Sequence, residues 1–402
     1  MKIIIKILEK LDNTSLISIS LFLLLIIYFV FYAFKFTPEA VNELDSLGQH
    51  IPLAESILEG KLFDPPELSN GLGYYMPIGE IILAVFIWMG VPLGLYNVLA
   101  IIILFYLCYK LATRFSLGRN LSIIYAFSIS YLNSVTRLIP TQKNDLWLNV
   151  FFVWLLYLLA KPRKDYKYFL LLGFSIGLLV GVKYSGIILA VILLGVYFKD
   201  VKKYLSLNSL IVVSIPVVLS GLIWYLRNYA ITRNPFYPVT LLGFRGHPNF
   251  VVPQGYENLI SKESIILTLE ALISEYLLWV LLPILFLVKI FKDKVQNAKA
   301  INKLLLIGGF SSLIYFLGPT DFTRVNITSN MRFLQVPFII LILAVFLLAK
   351  KFKREKEIVI LSILSSVAVL AQFSYYPKLI IIWLAMILIL LLKKSHKYGY
   401  VV

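Results

Sequence analysis

Apolar residues run along this chain in stretches of about 15 to 22, broken by short clusters of Lys and Arg, and a helix needs about that length to cross a hydrocarbon core roughly 30 Å thick. The stretches are continuous rather than alternating, which excludes a membrane barrel and leaves the helix as the structure that satisfies its own backbone in lipid. The pattern therefore predicts an all-α, polytopic membrane helical bundle. The first stretch, Leu16 to Phe34, follows Lys2, Lys6 and Lys10 as the core of a signal peptide would; no small-residue cleavage site follows, so it is expected to be an uncleaved first span. Further spans are predicted near 94–113, 120–135, 145–160, 168–183, 185–198, 207–228, 272–291, 304–318, 332–349, 358–374 and 378–392, about twelve transmembrane helices in all.

The short stretch from Ile78 to Gly90 decides the topology. If it crossed, Lys161/Arg163/Lys164/Lys167 and Lys350/Lys351/Lys353/Arg354/Lys356 would face outward against the positive-inside rule. Read as an interfacial or half-inserted helix, it sends every dense basic cluster inward. One integral-membrane domain covering 1–402 then comprises a first extracytoplasmic loop with interfacial helices (35–93), a central transmembrane core (94–228), a second extracytoplasmic loop (229–271) and C-terminal helices (272–402). The inferred location is the plasma membrane, with the long loops on the extracytoplasmic face.

Composition agrees: 60% of residues are hydrophobic and 15% charged, against about 45 to 50% apolar in soluble globules. The net charge of +17 resides in the clusters between spans, where it orients the chain and meets lipid headgroups, so nucleic acid is not an expected partner. Cys108 is the single cysteine and allows no intrachain disulfide. Neither a GxGxxG nor a Walker pattern occurs, so an enzyme built on outer loops would need an activated substrate delivered by the membrane.

Candidate chemistry begins in the acidic first loop, ELDSLGQHIPLAESILEG, residues 43–60. Pro52 suits the first turn of a short helix and Gly60 its stop; Leu53, Ala54, Ile57 and Leu58 mark its apolar face, with Glu55 and Glu59 toward water. Asp45 is the leading candidate base, with Glu43 beside it, against the alternative of a solvated loop carboxylate. On one helix His50 would point about 140° away from Asp45, so the two converge only if the chain bends. Asp145 at the start of a span serves equally well as a helix cap. Lys183 in GVKYSG, Arg227 in WYLRN and Arg332 in NMRFLQVP suit either snorkelling to the interface or holding a lipid phosphate. Gly173, Gly177 and Gly181, at four-residue spacing, predict close helix packing. His50, His247 and His396 are scattered; a divalent cation on Asp45, Glu43 and Asp145 is chemically possible without forming a metal signature.

These segments resemble one family. Asp45-Ser-Leu-Gly-Gln-His50-Ile-Pro52-Leu-Ala54 with Ile57-Leu58-Glu-Gly60 is similar to the first-loop pattern of GT-C glycosyltransferases, the group holding protein O-mannosyltransferases and lipid A aminoarabinose transferases. Pro77 and Glu80 resemble its Pro-x-x-Glu helix opening, Asn144-Asp145 its second acidic position and Val182-Lys183-Tyr184-Ser185-Gly186 its Lys-Tyr-Thr/Ser-Gly element. Trp224-Tyr-Leu-Arg227-Asn228 with Asn234-Pro235-Phe-Tyr237-Pro238 resembles the Arg-Asn…Gly-Asn-Pro-x-Tyr-Pro loop, with Arg233 where glycine is usual, and Asn330-Met-Arg332-Phe…Pro337 a late Asn-x-Arg-Tyr…Pro element. Ser46 stands where the family commonly has a second acid.

The resemblance implies a GT-C-like fold and an inverting transfer of sugar from a polyprenyl-phosphate-linked donor in the membrane to an acceptor glycan, lipid or protein. Asp45 would be the general base, with Asp145 and His50 as further catalytic candidates. Lys183, Arg227 and Arg332 would hold the donor phosphate; Glu43, Glu80, Asn228 and Tyr237 would bind substrate. A transporter or flippase of lipid-linked or anionic solutes, and a polymerase or ligase using diphosphate-linked donors, are the alternatives.

Overall fold

A computed structural model describes residues 12–35, 44–163, 165–250, 262–280, 299–317 and 324–372. Glu43 and His396, the remainder of the stretch expected at 272–291, and that at 378–392 lie outside the described residues. Among the described residues every regular element is helical, apart from an isolated antiparallel bridge between Leu241 and Phe244.

The chain order is α1 (Asn13–Lys35), a π turn at Ser46–His50, α2 (Ile51–Leu58), α3 (Ile78–Trp88), α4 (Leu95–Arg114), α5 (Arg119–Ser130), α6 (Asn133–Thr136), α7 (Asp145–Leu159), α8 (Tyr166–Val182) and α9 (Ser185–Lys202). Then come α10 (Leu207–Thr232), α11 (Lys262–Tyr276), α12 (Lys299–Leu317), α13 (Arg324–Asn330), a 3-10 turn at Met331–Leu334, α14 (Gln335–Lys351) and α15 (Glu355–Gln372). The central helix is α7: Leu146, Phe152, Val153, Leu155, Leu156 and Leu159 are all fully buried, as expected of a helix that is apolar all round. It packs against α4, α8 and α9, while α14 packs on α12 and α5.

Among the described residues, four helices are long and apolar enough to cross a membrane: Asn13–Phe34, Leu95–Arg114, Leu207–Thr232 and Ile327–Lys351. The stretches expected near 145–160 and 168–183 are apolar helices of 15 and 17 residues, shorter than the roughly 20 a straight crossing takes. The 11-residue α3 would rise only about 16 Å, too little to cross. Exposed apolar side chains on α10 (Ile211, Ile215, Leu219, Leu222 and Leu226) line up at helical spacing, a stripe that water would not favour and lipid would.

The glycine stripe on α8 does what its spacing predicts. A Cβ on Gly177 would meet Ser220 Oγ at 2.1 Å and Pro216 O at 2.7 Å, and one on Gly173 would meet Val213 O at 2.4 Å. The backbones of α8 and α10 thus touch, and only glycine fits between them. Pro216 lacks the N–H that an unbroken helix needs, and α10 passes through a π segment at Val218–Leu222 just after it.

In the first loop, α2 starts and stops where its sequence indicates, with Pro52 in the first turn and Gly60 at φ +83°. Leu53 and Ala54 are buried and Glu55 is exposed as expected, whereas Leu58, expected on the apolar face, is 45% exposed. It belongs to the last turn, where the chain leaves the bundle.

Candidate active site

A chain of alternating charges runs through the centre of the site. Lys143 Nζ lies 2.9 Å from Asp45 Oδ2, and Arg332 Nη1 donates to the same oxygen at 3.2 Å. The Arg332 Nε stands 3.7 Å from Asp145 Oδ2, and Lys183 Nζ donates to Asp145 Oδ1 at 2.6 Å. Three cations face two carboxylates, leaving one positive charge in excess. The side chains of Asp145 and Arg332 are 4% and 14% exposed, that of Asp45 43%, so the cluster opens outward at Asp45.

Each member is held by its own piece of chain. Asn97 on α4 donates its amide to the carbonyls of Leu138, Thr141 and Lys143, shaping the segment that carries Lys143. Gln142 N then donates to Ser46 Oγ at 3.1 Å, clamping that segment onto the residue after Asp45. Asp145 opens α7 and points at Lys183; the helix is capped at Asn144, and neither residue's side chain bonds the free amides, so the cap reading of Asp145 is corrected. Lys183 occupies the one extended residue between α8 and α9, φ −164°, where Gly186 lies so close to the backbone of α8 that a Cβ would strike Leu179 O. Its ammonium also sits 4.9 Å from the centre of the Phe333 ring.

Arg332 rides on the 3-10 turn at Met331–Leu334. Tyr276 Oη donates to Met331 O at 2.7 Å, and Arg137 donates to the carbonyls of Thr328 and Ser329, each at 2.9 Å, while pairing with Glu275 at 2.9 Å. Asn149, one turn along α7 from Asp145, donates to Gln335 Oε1, which ties Arg332's turn to the helix that carries its partner.

Burial alone would push the Asp45 carboxyl upward; Lys143 and Arg332 outweigh it and hold Asp45 below the ordinary carboxylate range. The hydroxyl of Tyr75 goes the other way, raised by burial and then by the charge of Asp45. The Tyr75 ring packs on that of Tyr184, their centres 5.5 Å apart.

Several expected site residues sit elsewhere. His50 is engaged elsewhere: the segment that carries it and Asp45 is helical but wound as a π turn at Ser46–His50, so the 140° of an α-helix does not apply, and His50 Nδ1 lies 2.7 Å from Glu80 Oε1. Glu80 is fully buried and also accepts from Asn144 at 2.8 Å, so its expected place against substrate is corrected to a buried support joining Asp45's helix to Asp145's. Arg227 spends its guanidinium on the carbonyls of Leu62, Tyr74 and Tyr75, at 3.1, 3.2 and 3.2 Å. It is 5% exposed, which corrects its expected role: it fastens the loop that presents Tyr75 rather than facing a ligand. Asn228 is buried and donates to Tyr74 O at 2.8 Å and Tyr184 Oη at 3.2 Å. Tyr237 accepts from Tyr184 through its carbonyl and sets its ring edge-on to Tyr74 at 5.1 Å. Arg227, Asn228 and Tyr237 thus form the frame behind the cluster.

Lys143 and Tyr75 were not among the sequence candidates. Lys143 carried a signal: it stands two residues before Asp145 and apart from the dense basic clusters between the predicted spans. As for metals, no group of three His, Cys, Asp or Glu side chains among the described residues could hold one. Asp45 and Asp145 face three cations at close range, a donor set that repels a divalent ion.

A family model described as a domain of unknown function (DUF8201) matches residues 84–277, a span that includes Lys143, Asp145, Lys183 and Arg227 but neither Asp45 nor Arg332. No curated protein and no solved structure matches the chain.

Proposed function

We propose that the protein is a multi-pass membrane glycosyltransferase of the GT-C type, which moves a sugar from a polyprenyl-phosphate donor to a hydroxyl or amine of an acceptor glycan, lipid or protein on the extracytoplasmic side of the plasma membrane. The observation that carries this reading is the row Lys143–Asp45–Arg332–Asp145–Lys183, in which a part-exposed carboxylate adjoins two cations and a third lies at the far end. A transferase of this class needs both: a base to take the acceptor's proton and fixed positive charge where the leaving phosphate gains its negative charge.

In the step itself the acceptor oxygen or nitrogen bonds to the anomeric carbon from the face opposite the phosphate. The bond from that carbon to the phosphate oxygen breaks, its electron pair going to the phosphate. Asp45 takes the acceptor proton, and Arg332 and Lys183 stabilise the charge on the leaving group. Asp145 keeps Lys183 protonated and fixed in a site with little access to water. Glu80 with His50 and Asn144 on one side, and Arg227 with Asn228 on the other, hold the walls in place.

Purified protein in nanodiscs, given a short-chain prenyl-phosphate sugar and an envelope extract as acceptor, should transfer sugar. Asp45→Asn should lower the rate by about 10²- to 10⁴-fold, the usual contribution of a positioned base. Undiminished transfer by Asp45→Asn would remove Asp45 from the mechanism, and solute flux without transfer would replace the enzyme by a transporter.

A further inference from the structure

A base clasped by two cations is a weak base, and two cations clasping a carboxylate are not free for a phosphate. Both conflicts concern the same oxygen, Asp45 Oδ2, which receives Lys143 at 2.9 Å and Arg332 at 3.2 Å. We propose that Lys143 and Arg332 form the seat for the donor's phosphate, that the Asp45 carboxylate fills this seat in the resting protein, and that an arriving phosphate displaces it. Loading the donor and releasing the base are then one event. This rests on the glycosyltransferase reading for the identity of the donor; the exchange itself concerns only anion binding.

Of the two carboxylates in the row, the geometry singles out Asp45 as the one that leaves. Its side chain is 43% exposed, so water solvates it as it swings out. That of Asp145 is 4% exposed and bonded to Lys183 at 2.6 Å; moving it would strand a buried charge. Asp45 also sits at the start of a short π turn whose far side is open at Gly48, where an added Cβ meets no atom within 4 Å, while Ser46 and His50 stay anchored, so that only the Asp45 side chain need move. Lys143 is fixed from behind by Asn97 and Gln142, and Arg332 by the anchored turn at 331–334, so the cations stay while the anion moves.

Charge balance then distinguishes donor from product. With Asp45 swung out, three cations face Asp145 alone, an excess of two positive charges. The donor is a phosphodiester carrying one negative charge; the leaving phosphate is a monoester carrying about 1.5 to 2. The seat is therefore more complementary to the product side of the reaction than to the substrate, which is what accelerates it. Asp45, once its acquired proton passes to water, is again an anion beside the seat and competes the product out.

The test measures binding without transfer. Full-length protein in nanodiscs is titrated with dodecyl phosphate, and in a parallel arm with inorganic phosphate, and the affinities of wild type, Asp45→Asn and Asp45→Ser are compared at pH 7.5. Removing the resident anion should tighten dodecyl phosphate binding by about tenfold or more in both variants, and Lys143→Gln added to Asp45→Asn should reverse the gain. Unchanged or weaker binding in both Asp45 variants, with melting temperatures near wild type, would overturn the exchange; the second, smaller variant guards against misfolding of the first. Equal tightening toward inorganic phosphate would overturn the assignment of the seat to a lipid phosphate. Tighter binding by a protein that transfers no sugar would retain the seat and reject the transferase, whereas transfer with unaltered binding would do the reverse.

Discussion

Asp45 and Asp145 are the same side chain, joined to the same guanidinium, in two different settings. Asp145 starts a helix in the middle of the bundle and is enclosed with its lysine; Asp45 sits on a short turn with nearly half its surface in contact with solvent. Burial separates what an ion pair does. An enclosed pair cannot lose one partner without stranding the other, while an exposed one can exchange partners for water or for another anion at little cost. The enclosed pair is thus suited to framework and the exposed one to chemistry, and the two can be separated by experiment.

The largest effect is expected at the enclosed end. Asp145→Asn leaves Lys183 and Arg332 without their buried counter-ion, which should destabilise the fold by about 3 to 5 kcal/mol. Purified protein should melt far below wild type or fail to accumulate, with transfer lost in proportion. Asp45→Asn removes a carboxylate that is 43% exposed from two cations that are 10% and 14% exposed, which water can reach through the same opening, so its melting temperature should fall by less than that of Asp145→Asn even as transfer falls. Equal thermal losses at the two positions would break the distinction between them.

Next in size is a change in the wall behind Lys183. Gly177→Ala would push α8 off α10, because its Cβ would meet Ser220 Oγ at 2.1 Å and the Pro216 carbonyl at 2.7 Å. Overpacking of this kind costs about 1 to 3 kcal/mol. Since α8 ends at Val182 and delivers Lys183 directly, the displacement should reach Asp145 and lower transfer. Asp45, held by Gln142 through Ser46, should still carry its ion pair. A melting temperature unchanged by Gly177→Ala would show that the two helices adjust freely and that the floor of the site is softer than its contacts indicate.

How much of this was legible in the sequence follows the same division. Helix positions were readable because lipid imposes a length and a continuity on apolar stretches, and the glycine stripe because its spacing places all three residues on one face. Asp45, Asp145, Lys183 and Arg332 could be named individually, since each stands apart from the dense basic clusters, on the face expected to hold the long loops. What could not be read was side-chain direction. Arg227 and Arg332 look alike in sequence, yet one meets three backbone carbonyls and the other meets carboxylates. Glu80 and Asp45 are both acids of the first hydrophilic segment, and a turn of backbone decides that one is buried against His50 while the other faces Lys143. The expected count of about twelve spans depends on stretches such as Asp145–Leu159 and Tyr166–Val182, which form helices shorter than a straight crossing requires, and on others outside the described residues.

The smallest expected effect is the response of the exposed pair to acid, and its sign follows from the shift. Asp45 is held below the ordinary carboxylate value, by Lys143 and Arg332 against the opposing effect of burial. A group depressed in the folded state binds its proton more readily when unfolded. Its contribution to stability is therefore complete above the unfolded value of about 3.9 and is lost only as pH falls through the lower, folded one. Between pH 7 and pH 5 the difference in melting temperature between wild type and Asp45→Asn should stay constant, and below about pH 4 it should shrink toward zero. The Tyr75 hydroxyl, raised by burial and by the Asp45 charge, stays protonated throughout and adds no slope of its own. A difference that shrank already between pH 7 and pH 5 would mean that Asp45 takes up its proton far more easily than two adjacent cations allow, and the outward-facing carboxylate would then be unpaired in solution.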